Sequence, residues 1–521
     1  MTPFFKKRGL FYKQIVFKGV TELRRILSAT EQRQLHFIEI LVKTDGWIIL
    51  SEIAKMIGCS DRILKSDVYE INQKFTPFMI ETSTKRGLRI NYPSHYSIDF
   101  VYTVTLNEST GFNMLELLFF NSELTKTTIQ TELDISESTL KRAVKKINSV
   151  LQEHHVAIST NPYQLVGDEK AVRNLMTHFF KEKYPSGNLP FAAEQRQFIT
   201  NFFKLMAQKL DIRLNYPDLN LIRAVTFANI LRIQKGFSLP EVTTDTPFNP
   251  MVSDLLADKT FSETFTALFG IALTLERFWD IFNVFAQTEF VLSASDLQAK
   301  ALAYPDTIGQ TLTSIQSFLE NFAMKWQVPI ENVEGIAYQI YNLTVWSSGL
   351  NFIINDKKTA FMEYITAEFR MFVTNLKTTL SALPFLAEYE WQDAILNEFI
   401  YTTIIHWPHL TEHLINHIKP IKVGIFCGQE FQQAQLIETQ LKDRFGHHVT
   451  SRIMRDEDSD ETKGAIETYD VVLSTVSNYL VKDTCTIAVS SLPSMKHWRL
   501  IQQLIEADQT NQSFIVSKFV G

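Results

Sequence analysis

The pattern of apolar and polar positions repeats itself in the first third of the chain. Two stretches offset by 76 residues carry apolar side chains at i, i+4, i+7 and i+11: Leu64, Val68, Ile71, Phe75 and Leu140, Val144, Ile147, Leu151. This spacing predicts one buried stripe on an amphipathic helix. Ser60 and Ser136 precede these helices, where a hydroxyl can accept a hydrogen bond from a free backbone N–H. The chain therefore begins with a duplicated helical unit.

A shorter amphipathic segment precedes each of these helices, over residues 51–59 and 127–135. After each helix, two alternating segments flank a turn, at Thr84–Gly87 in the first copy and at Asn161-Pro162 in the second. Such alternation around turn residues is typical of a β-hairpin. Helix, tight turn, helix and hairpin together predict two tandem winged helix-turn-helix units.

The pattern changes twice beyond the second unit. A long region is almost wholly helical and divides near residues 293–305 into two bundles, and the last hundred residues alternate strand and helix, which favours a parallel α/β domain. We therefore predict a multidomain, mainly α protein. Its parts are a basic leader (1–29), winged helix-turn-helix units (30–93 and 94–168), helical bundles (169–295 and 296–418) and an α/β domain (419–521). Single helices are expected over 34–42, 112–120, 262–285 and 360–376.

Composition places the chain among soluble globular proteins. It has 521 residues, of which 45% are apolar and 21% charged, and this length is sufficient for several domains. No apolar run reaches the ~18–20 residues that a membrane-spanning helix needs, and the first residues lack a signal-peptide pattern. Cys59, Cys427 and Cys485 form neither a disulfide framework nor a zinc-binding spacing. We expect a cytoplasmic protein without a membrane partner.

Charge is unevenly distributed along the chain. Residues 1–90 contain 16 Lys and Arg against 9 Asp and Glu, a balance of +7, whereas the remainder has 35 against 48, a balance of −13. A basic end on an acidic body suits contact with phosphates through that end alone. A solvated basic face is the alternative, but the charge coincides with the duplicated unit and favours double-stranded DNA as the partner.

Candidate DNA contacts lie on the second helix of each unit and on the first hairpin. Arg and Lys can contact guanine edges or phosphates, and Ser and Thr can contact either. Basic side chains on a hairpin can reach the backbone or a minor groove. No Lys or Arg lies between Lys146 and Lys170, so we expect the first unit to use its hairpin and the second its helix. The candidates are Arg62, Lys65, Ser66, Lys85, Arg86, Arg89, Ser138, Thr139, Lys141, Arg142 and Lys145.

This order of parts resembles the Mga/AtxA group of Gram-positive transcription regulators. The resemblance covers nearly the whole chain, and the paired helix-turn-helix is its most specific part. It implies two phosphotransferase-system regulation domains (PRDs), a C-terminal domain like enzyme IIB, and a global activator of virulence or sugar-responsive genes. It also implies a homodimer formed through the IIB-like domain and the bundles, and regulation by phosphotransferase-system proteins.

Phosphoryl transfer in that family uses histidines in the bundles, and an enzyme IIB uses a cysteine after its first strand. Here His178 is the only histidine between Glu169 and Ile405, and Cys427 occupies the strand-end position. Glu430 follows closely and would repel a phosphoryl group, so we interpret Cys427 as a core residue. The two remain the candidate phosphoryl acceptors.

Other chemistry has little support in the sequence. His409, His413 and His417 are spaced to share a helical face, where histidine pairs can bind a metal, but an exposed linker helix is the stronger interpretation. Neither a Walker-type loop nor a Gly-x-Gly-x-x-Gly motif is present. We expect no cofactor, no metal and no enzymatic activity.

Two functional hypotheses follow. The first is a DNA-binding transcription regulator acting as a dimer. The second, from another class, is a phosphocarrier of the phosphotransferase system that uses His178 and Cys427, with the amino-terminal half serving for docking.

Overall fold

The computed structural model describes residues 22–44, 46–209, 216–240, 246, 248–286, 291–346, 353–386, 393–417, 420–454, 469–479 and 484–509. Most of these residues are helical, and three small sheets complete the structure. The leader prediction for residues 1–21 lies outside the described part. In the residues described, no helix combines the length and apolar character needed to cross a membrane.

The first unit contains three helices and a hairpin: α1 (Ala29–Lys43), α2 (Leu50–Ile57), α3 (Asp61–Lys74), β1 (Met79–Ser83) and β2 (Gly87–Asn91). Helix α1 begins five residues before the predicted 34–42 segment, because Ser28 and Glu31 form a reciprocal capping box. Ser60 occupies the N-cap position of α3, but its hydroxyl makes no capping hydrogen bond. The predicted role of this serine was therefore wrong.

The second unit repeats this plan: α5 (Thr110–Phe120), α6 (Lys126–Leu133), α7 (Glu137–Leu151), β3 (Val156–Thr160) and β4 (Tyr163–Gly167). An additional helix, α4 (Asp99–Glu108), precedes it and was not predicted. Ser136 caps α7 by accepting from the backbone N–H of Thr139 at 3.2 Å, as predicted. Both hairpins are antiparallel and in register along their full length.

The first bundle region contains α8 (Glu169–Lys183), α9 (Ala193–Lys209), α10 (Tyr216–Gln234), α11 (Asn249–Ala257), α12 (Lys259–Phe269), α13 (Leu275–Ile281) and α14 (Asn283–Ala286). The prediction of a single helix over 262–285 was wrong, because α12, α13 and α14 occupy this range. Gly270 ends α12 with a φ of +66°, in the left-handed region where glycine is a frequent helix terminator.

The second bundle region contains α15 (Ala294–Ala303), α16 (Gln310–Trp326), α17 (Val333–Trp346), α18 (Lys357–Glu368), α19 (Arg370–Ser381), α20 (Asp393–His406) and α21 (Leu410–His417). The helix predicted over 360–376 is two helices that meet at Phe369. That residue has a φ of −133° and a ψ of +51°, which lie outside the helical region and interrupt the helix.

The C-terminal region forms a parallel four-stranded sheet flanked by helices. Its elements are β5 (Ile421–Phe426), α22 (Phe431–Phe445), β6 (Val449–Ile453), β7 (Val471–Ser474), β8 (Cys485–Ala488) and α23 (Met495–Gln509). The strand order is β6-β5-β7-β8, and every pair is parallel. The predicted small parallel α/β arrangement is present.

Three main hydrophobic cores organise the part of the chain that the structure describes. One continuous core joins both helix-turn-helix units to the first bundle region, a second lies within the second bundle region, and a third lies under the C-terminal sheet. Ile353 and Ile354 belong to the first core although they come from the second bundle region. Glu182 holds this segment by accepting hydrogen bonds from the backbone N–H groups of Ile353, Ile354 and Asn355. The bundles are therefore physically connected to the amino-terminal half.

Candidate nucleic-acid interface

The second and third helices of the two helix-turn-helix units begin at the same 76-residue offset. Helix α2 begins at residue 50 and α6 at 126, while α3 begins at 61 and α7 at 137. The turn residues also correspond, because Gly58 and Asp134 both adopt left-handed conformations, with φ of +77° and +49°. Equivalent positions on α3 and α7 can therefore be compared directly.

An asparagine near the end of each second helix fixes the hairpin that follows. Asn72 accepts from the backbone N–H of Ile80 at 2.6 Å and donates to its carbonyl at 3.0 Å. Asn148 makes the same pair of bonds with Ile158, at 2.7 and 3.1 Å. This explains why asparagine occurs in both copies of the repeat. Each hairpin is held at a set position relative to its helix.

Two acidic residues of α3 accept hydrogen bonds from side chains of α1. Asp67 is buried and accepts two hydrogen bonds from Arg33 of α1, at 2.6 and 2.9 Å. Gln34 donates to Glu70 at 2.7 Å. The ion pair and hydrogen bond with Asp67 raise the pKa of Arg33. Consequently these carboxylates are engaged with α1 and weaken the positive potential of the outer face less than the sequence suggested.

The outer face of α3 exposes the predicted side chains Arg62, Lys65 and Ser66. It also exposes Tyr69, whose side chain was not predicted as a contact. The repeat could have identified Tyr69, because it corresponds to Lys145, which was a predicted DNA contact on α7. Residues 62, 66 and 69 recur at helical spacing and form one outward surface.

The outer face of α7 is more strongly basic. Ser138, Lys141, Arg142 and Lys145 are exposed, and Thr139 is half-buried. Lys141 pairs with Glu137 at 2.8 Å, and their side-chain hydrogen bond raises the pKa of Lys141 and lowers that of Glu137. Exposed ammonium and guanidinium groups of this kind can contact phosphates.

Lys146 does not share this outward face. Its ammonium donates to the backbone carbonyl of Leu27 at 2.5 Å and so ties α7 to the leader. Nearby, Arg25 of the leader pairs with Glu153 at 2.9 and 3.0 Å. The end of the leader therefore contacts and positions the second unit, although in sequence it immediately precedes the first unit.

The first hairpin carries basic side chains around an aromatic ring. Lys85 and Arg86 are exposed at its turn. The guanidinium groups of Arg86 and Arg89 lie 4.9 and 5.0 Å from the ring centre of Trp47, within the range of cation–π attraction. Arg89 also pairs with Glu81 at 2.7 Å across the hairpin. Trp47 was not predicted, and it orients two of the three candidate side chains.

The second hairpin faces the first bundle region instead. The carbonyl of Leu165 in β4 accepts a hydrogen bond from Arg232 of α10 at 3.2 Å. Arg232 in turn pairs with Glu169 at 2.6 Å, and Glu169 also pairs with Arg173 at 2.8 Å. This buried network holds the second unit against the bundle through its hairpin, leaving α7 as the basic outer element.

The candidate phosphoryl acceptors lie in different domains, on α8 and after β5. His178 is half-buried on α8, and burial together with Lys181 and Lys358 lowers its pKa well below the usual value. Cys427 follows β5, and burial raises the pKa of its thiol, opposed by a hydrogen bond with Thr475. A thiol with a raised pKa is a poor nucleophile near neutral pH.

The histidine spacing after residue 406 does not produce one helical face. His409 has a φ of +54° and precedes α21, so it cannot share a helix with His413 and His417 as expected. Its Nδ1 atom lies 3.2 Å from Glu412. Across the described part of the chain, no group of three or more His, Cys, Asp or Glu side chains could hold a metal ion.

Two protein-family models match the amino-terminal units. The M protein trans-acting positive regulator (MGA) helix-turn-helix domain matches residues 30–85, and the Mga helix-turn-helix domain matches residues 94–180. The amino-terminal part of the chain is similar to Mga regulators. Both matches include the second helix of a unit, and the resemblance to Mga/AtxA-like regulators predicted from the repeat is confirmed.

Similar proteins extend the likeness beyond these domains. The chain is 24% identical over 467 residues to a trans-acting regulator of Streptococcus pneumoniae serotype 4, covering 88% of this chain and 93% of that protein. It is 20% identical over 498 residues to the capsule synthesis positive regulator AcpB of Bacillus anthracis, covering 91% and 98%. With AcpA of the same organism it shares 22% identity over 205 residues, covering 39% and 42%.

Proposed function

We propose that this Mga-like chain is a DNA-binding transcriptional regulator that activates its target genes and has no enzymatic activity. The observation that carries the proposal is the pair of helix-turn-helix units in matching register, each with an exposed polar face on its second helix. The names of its relatives, a trans-acting regulator and two positive regulators, support the activating role. Because the proposed ligand is chromosomal DNA, we propose the cytoplasm as its place of action.

Within the interface, we propose different leading contacts for the two units. In the first unit these are Arg62, Lys65 and Ser66 on α3 together with Lys85 and Arg86 on the hairpin, while Arg89 supports the hairpin through Glu81 and Trp47. In the second unit they lie on α7, namely Ser138, Thr139, Lys141, Arg142 and Lys145. The seating of the second hairpin against α10 supports this division.

We further propose PRD-like identities for the two bundle regions and an enzyme IIB-like identity for the C-terminal domain, with the boundaries expected from the sequence. Separate cores for residues 291–414 and 421–505 support the division between the second bundle and the C-terminal domain. Following the family resemblance, we propose a homodimer formed through the C-terminal domain and bundles. Sedimentation of the full chain and of a chain ending before residue 419 would test the contribution of that domain.

The decisive test is a titration of labelled duplex DNA at several salt concentrations. Replacing Lys141, Arg142 and Lys145 together by alanine should weaken binding and reduce the salt slope by about 0.9 per lost phosphate contact. A matched control replaces three exposed lysines from elsewhere, Lys204, Lys325 and Lys496, which changes the net charge equally. Equal affinities for the two triple variants would show that α7 does not contact DNA.

A second candidate function is phosphoryl acceptance at His178 from phosphotransferase-system proteins. The lowered pKa keeps its imidazole neutral, as a nucleophile must be, and Lys181 and Lys358 would attract a phosphoryl group. Incubation with phosphoenolpyruvate and the general phosphotransferase proteins should then add one phosphate to the intact chain, and none to His178→Ala. An unmodified wild-type mass would end this candidate, including the phosphocarrier hypothesis with Cys427.

A further inference from the structure

The first helix-turn-helix unit exposes large apolar side chains at positions that are polar in the second. Ile49, Met56, Ile63 and Tyr69 are 54, 44, 41 and 67% exposed. At the corresponding positions, 76 residues later, the second unit has Thr125, Glu132, Thr139 and Lys145. Because the second and third helices begin at the same offset in both units and the turns between them adopt the same left-handed conformation, this difference lies in the surface and not in the fold.

Tyr69 is central to the outward surface of α3. It lies three residues after Ser66 and seven after Arg62, which places the three side chains on one helical face. Ile63 is also exposed, but it lies on the flank of that face away from Tyr69. The opposite face of the helix is occupied by the fully buried Leu64 and Ile71, so Tyr69 has no part in the core.

Under the proposed function, the outward surface of α3 that contains Tyr69 faces DNA. In the major groove, the C5 methyl group of thymine is the apolar feature of a base edge, and it is recognised by apolar contact. A tyrosine ring can cover such a methyl group and exclude water from it. Lys145, in the same place on α7, suits a phosphate instead.

We propose that Tyr69 is a specificity-determining residue that contacts the C5 methyl group of a thymine. The first unit then discriminates bases by apolar contact, while the second supplies sequence-independent attraction through Lys145 and its basic neighbours. This inference rests on the proposed function and adds the base class that α3 recognises.

A phosphate contact by the tyrosine hydroxyl is the main alternative within DNA binding. Arg62 on the same face already supplies a stronger phosphate ligand. The two alternatives differ in their response to removal of the hydroxyl and to removal of the thymine methyl group.

The experiment uses the full chain and a randomised duplex library. Duplexes selected by the wild type are labelled, and each thymine is replaced in turn by deoxyuridine, which lacks the methyl group. At the contacted thymine this replacement should weaken wild-type binding about four-fold, the effect of one buried methyl-sized group. Tyr69→Phe should behave like the wild type, and Tyr69→Ala should bind more weakly and show no response to deoxyuridine at that position.

The matched control is Lys145→Ala, the equivalent position on α7. It should reduce affinity equally for all selected duplexes and lower the salt slope by about 0.9. Thermal unfolding of Tyr69→Ala should equal that of the wild type, because the side chain is exposed and outside the core.

Each other result overturns a defined part of the reasoning. If the wild type selects no duplexes, the proposed function itself fails. If the wild type selects duplexes but Tyr69→Ala keeps the same deoxyuridine response, the assignment to Tyr69 fails alone. Equal losses for Tyr69→Phe and Tyr69→Ala would identify a hydroxyl contact and overturn the apolar one. Unchanged DNA binding by Tyr69→Ala would also overturn the apolar contact. The exposed Tyr69 side chain would then be assigned to a protein partner.

Discussion

Removing the carboxylate of Glu169 should destabilise the amino-terminal core severely. Glu169, Arg173, Arg232 and Asp280 are all less than 10% exposed and form one network. Arg232 contacts Glu169 at 2.6 Å, and Arg173 contacts Glu169 at 2.8 Å and Asp280 at 2.7 Å. Two arginines thus face two carboxylates, and Glu169→Gln leaves one positive charge uncompensated in the interior.

The magnitude follows from the cost of an unpaired buried charge. Breaking a buried ion pair from one side typically costs about 3–5 kcal/mol. For a cooperative unit of roughly 150–250 residues, each kcal/mol lowers the melting temperature by about 2–4 °C. The transition of the core that contains Glu169 should therefore move down by on the order of 10 °C. Thermal unfolding of the full chain gives this shift, and hydrogen exchange should show the loss in α8 and α10.

The matched control is Glu153→Gln, which also removes the partner of an arginine that makes two hydrogen bonds. Arg25 and Glu153 are 48 and 44% exposed, so this change should cost less than about 1 kcal/mol. Similar shifts for the two variants would refute the reasoning that burial sets the cost. A double variant, Glu169→Leu with Arg232→Met, should recover stability relative to Glu169→Gln, because Arg173 and Asp280 remain as a balanced pair.

Two further predictions concern the first hairpin and the contact between the bundles. Gly87 has a φ of +96°, and a Cβ atom there would lie 2.1 Å from the carbonyl oxygen of Ile48. Gly87→Ala should therefore destabilise the first unit by at least about 1–3 kcal/mol. Gly46→Ala, with a φ of +107° but open space, should be milder in the same unfolding assay. Burial raises the pKa of Glu182 to about 7 despite its three backbone donors. Its protonated form therefore stabilises the fold fully below pH ~4.5, and this contribution is lost as the pH rises through about 7. Melting temperatures between pH 5 and 8 should show this loss in the wild type and not in Glu182→Gln, and parallel curves would contradict the assignment.

The helix-turn-helix units were predictable because their signals are local. The spacing of Leu64, Val68 and Ile71 and its repetition 76 residues later reflect helical periodicity, which a single segment can display. The order of strands and helices after residue 420 is also local. The same is true of Arg62, Lys141 and Arg142 as exposed residues, since they lie opposite an apolar stripe. These features depend on neighbours a few residues away.

The tertiary structure alone decided contacts between distant segments. Trp47 meets Arg86 and Arg89 only when the hairpin folds back, and Lys146 turns inward only because Leu27 lies beside α7. Likewise, Ile353 and Ile354 join a core some 170 residues away in sequence, held by Glu182. No periodicity encodes such pairings, because they depend on which surfaces pack together. Local patterning therefore determined which helices form and which faces are polar, while long-range packing decided which of those polar side chains remain available to a partner.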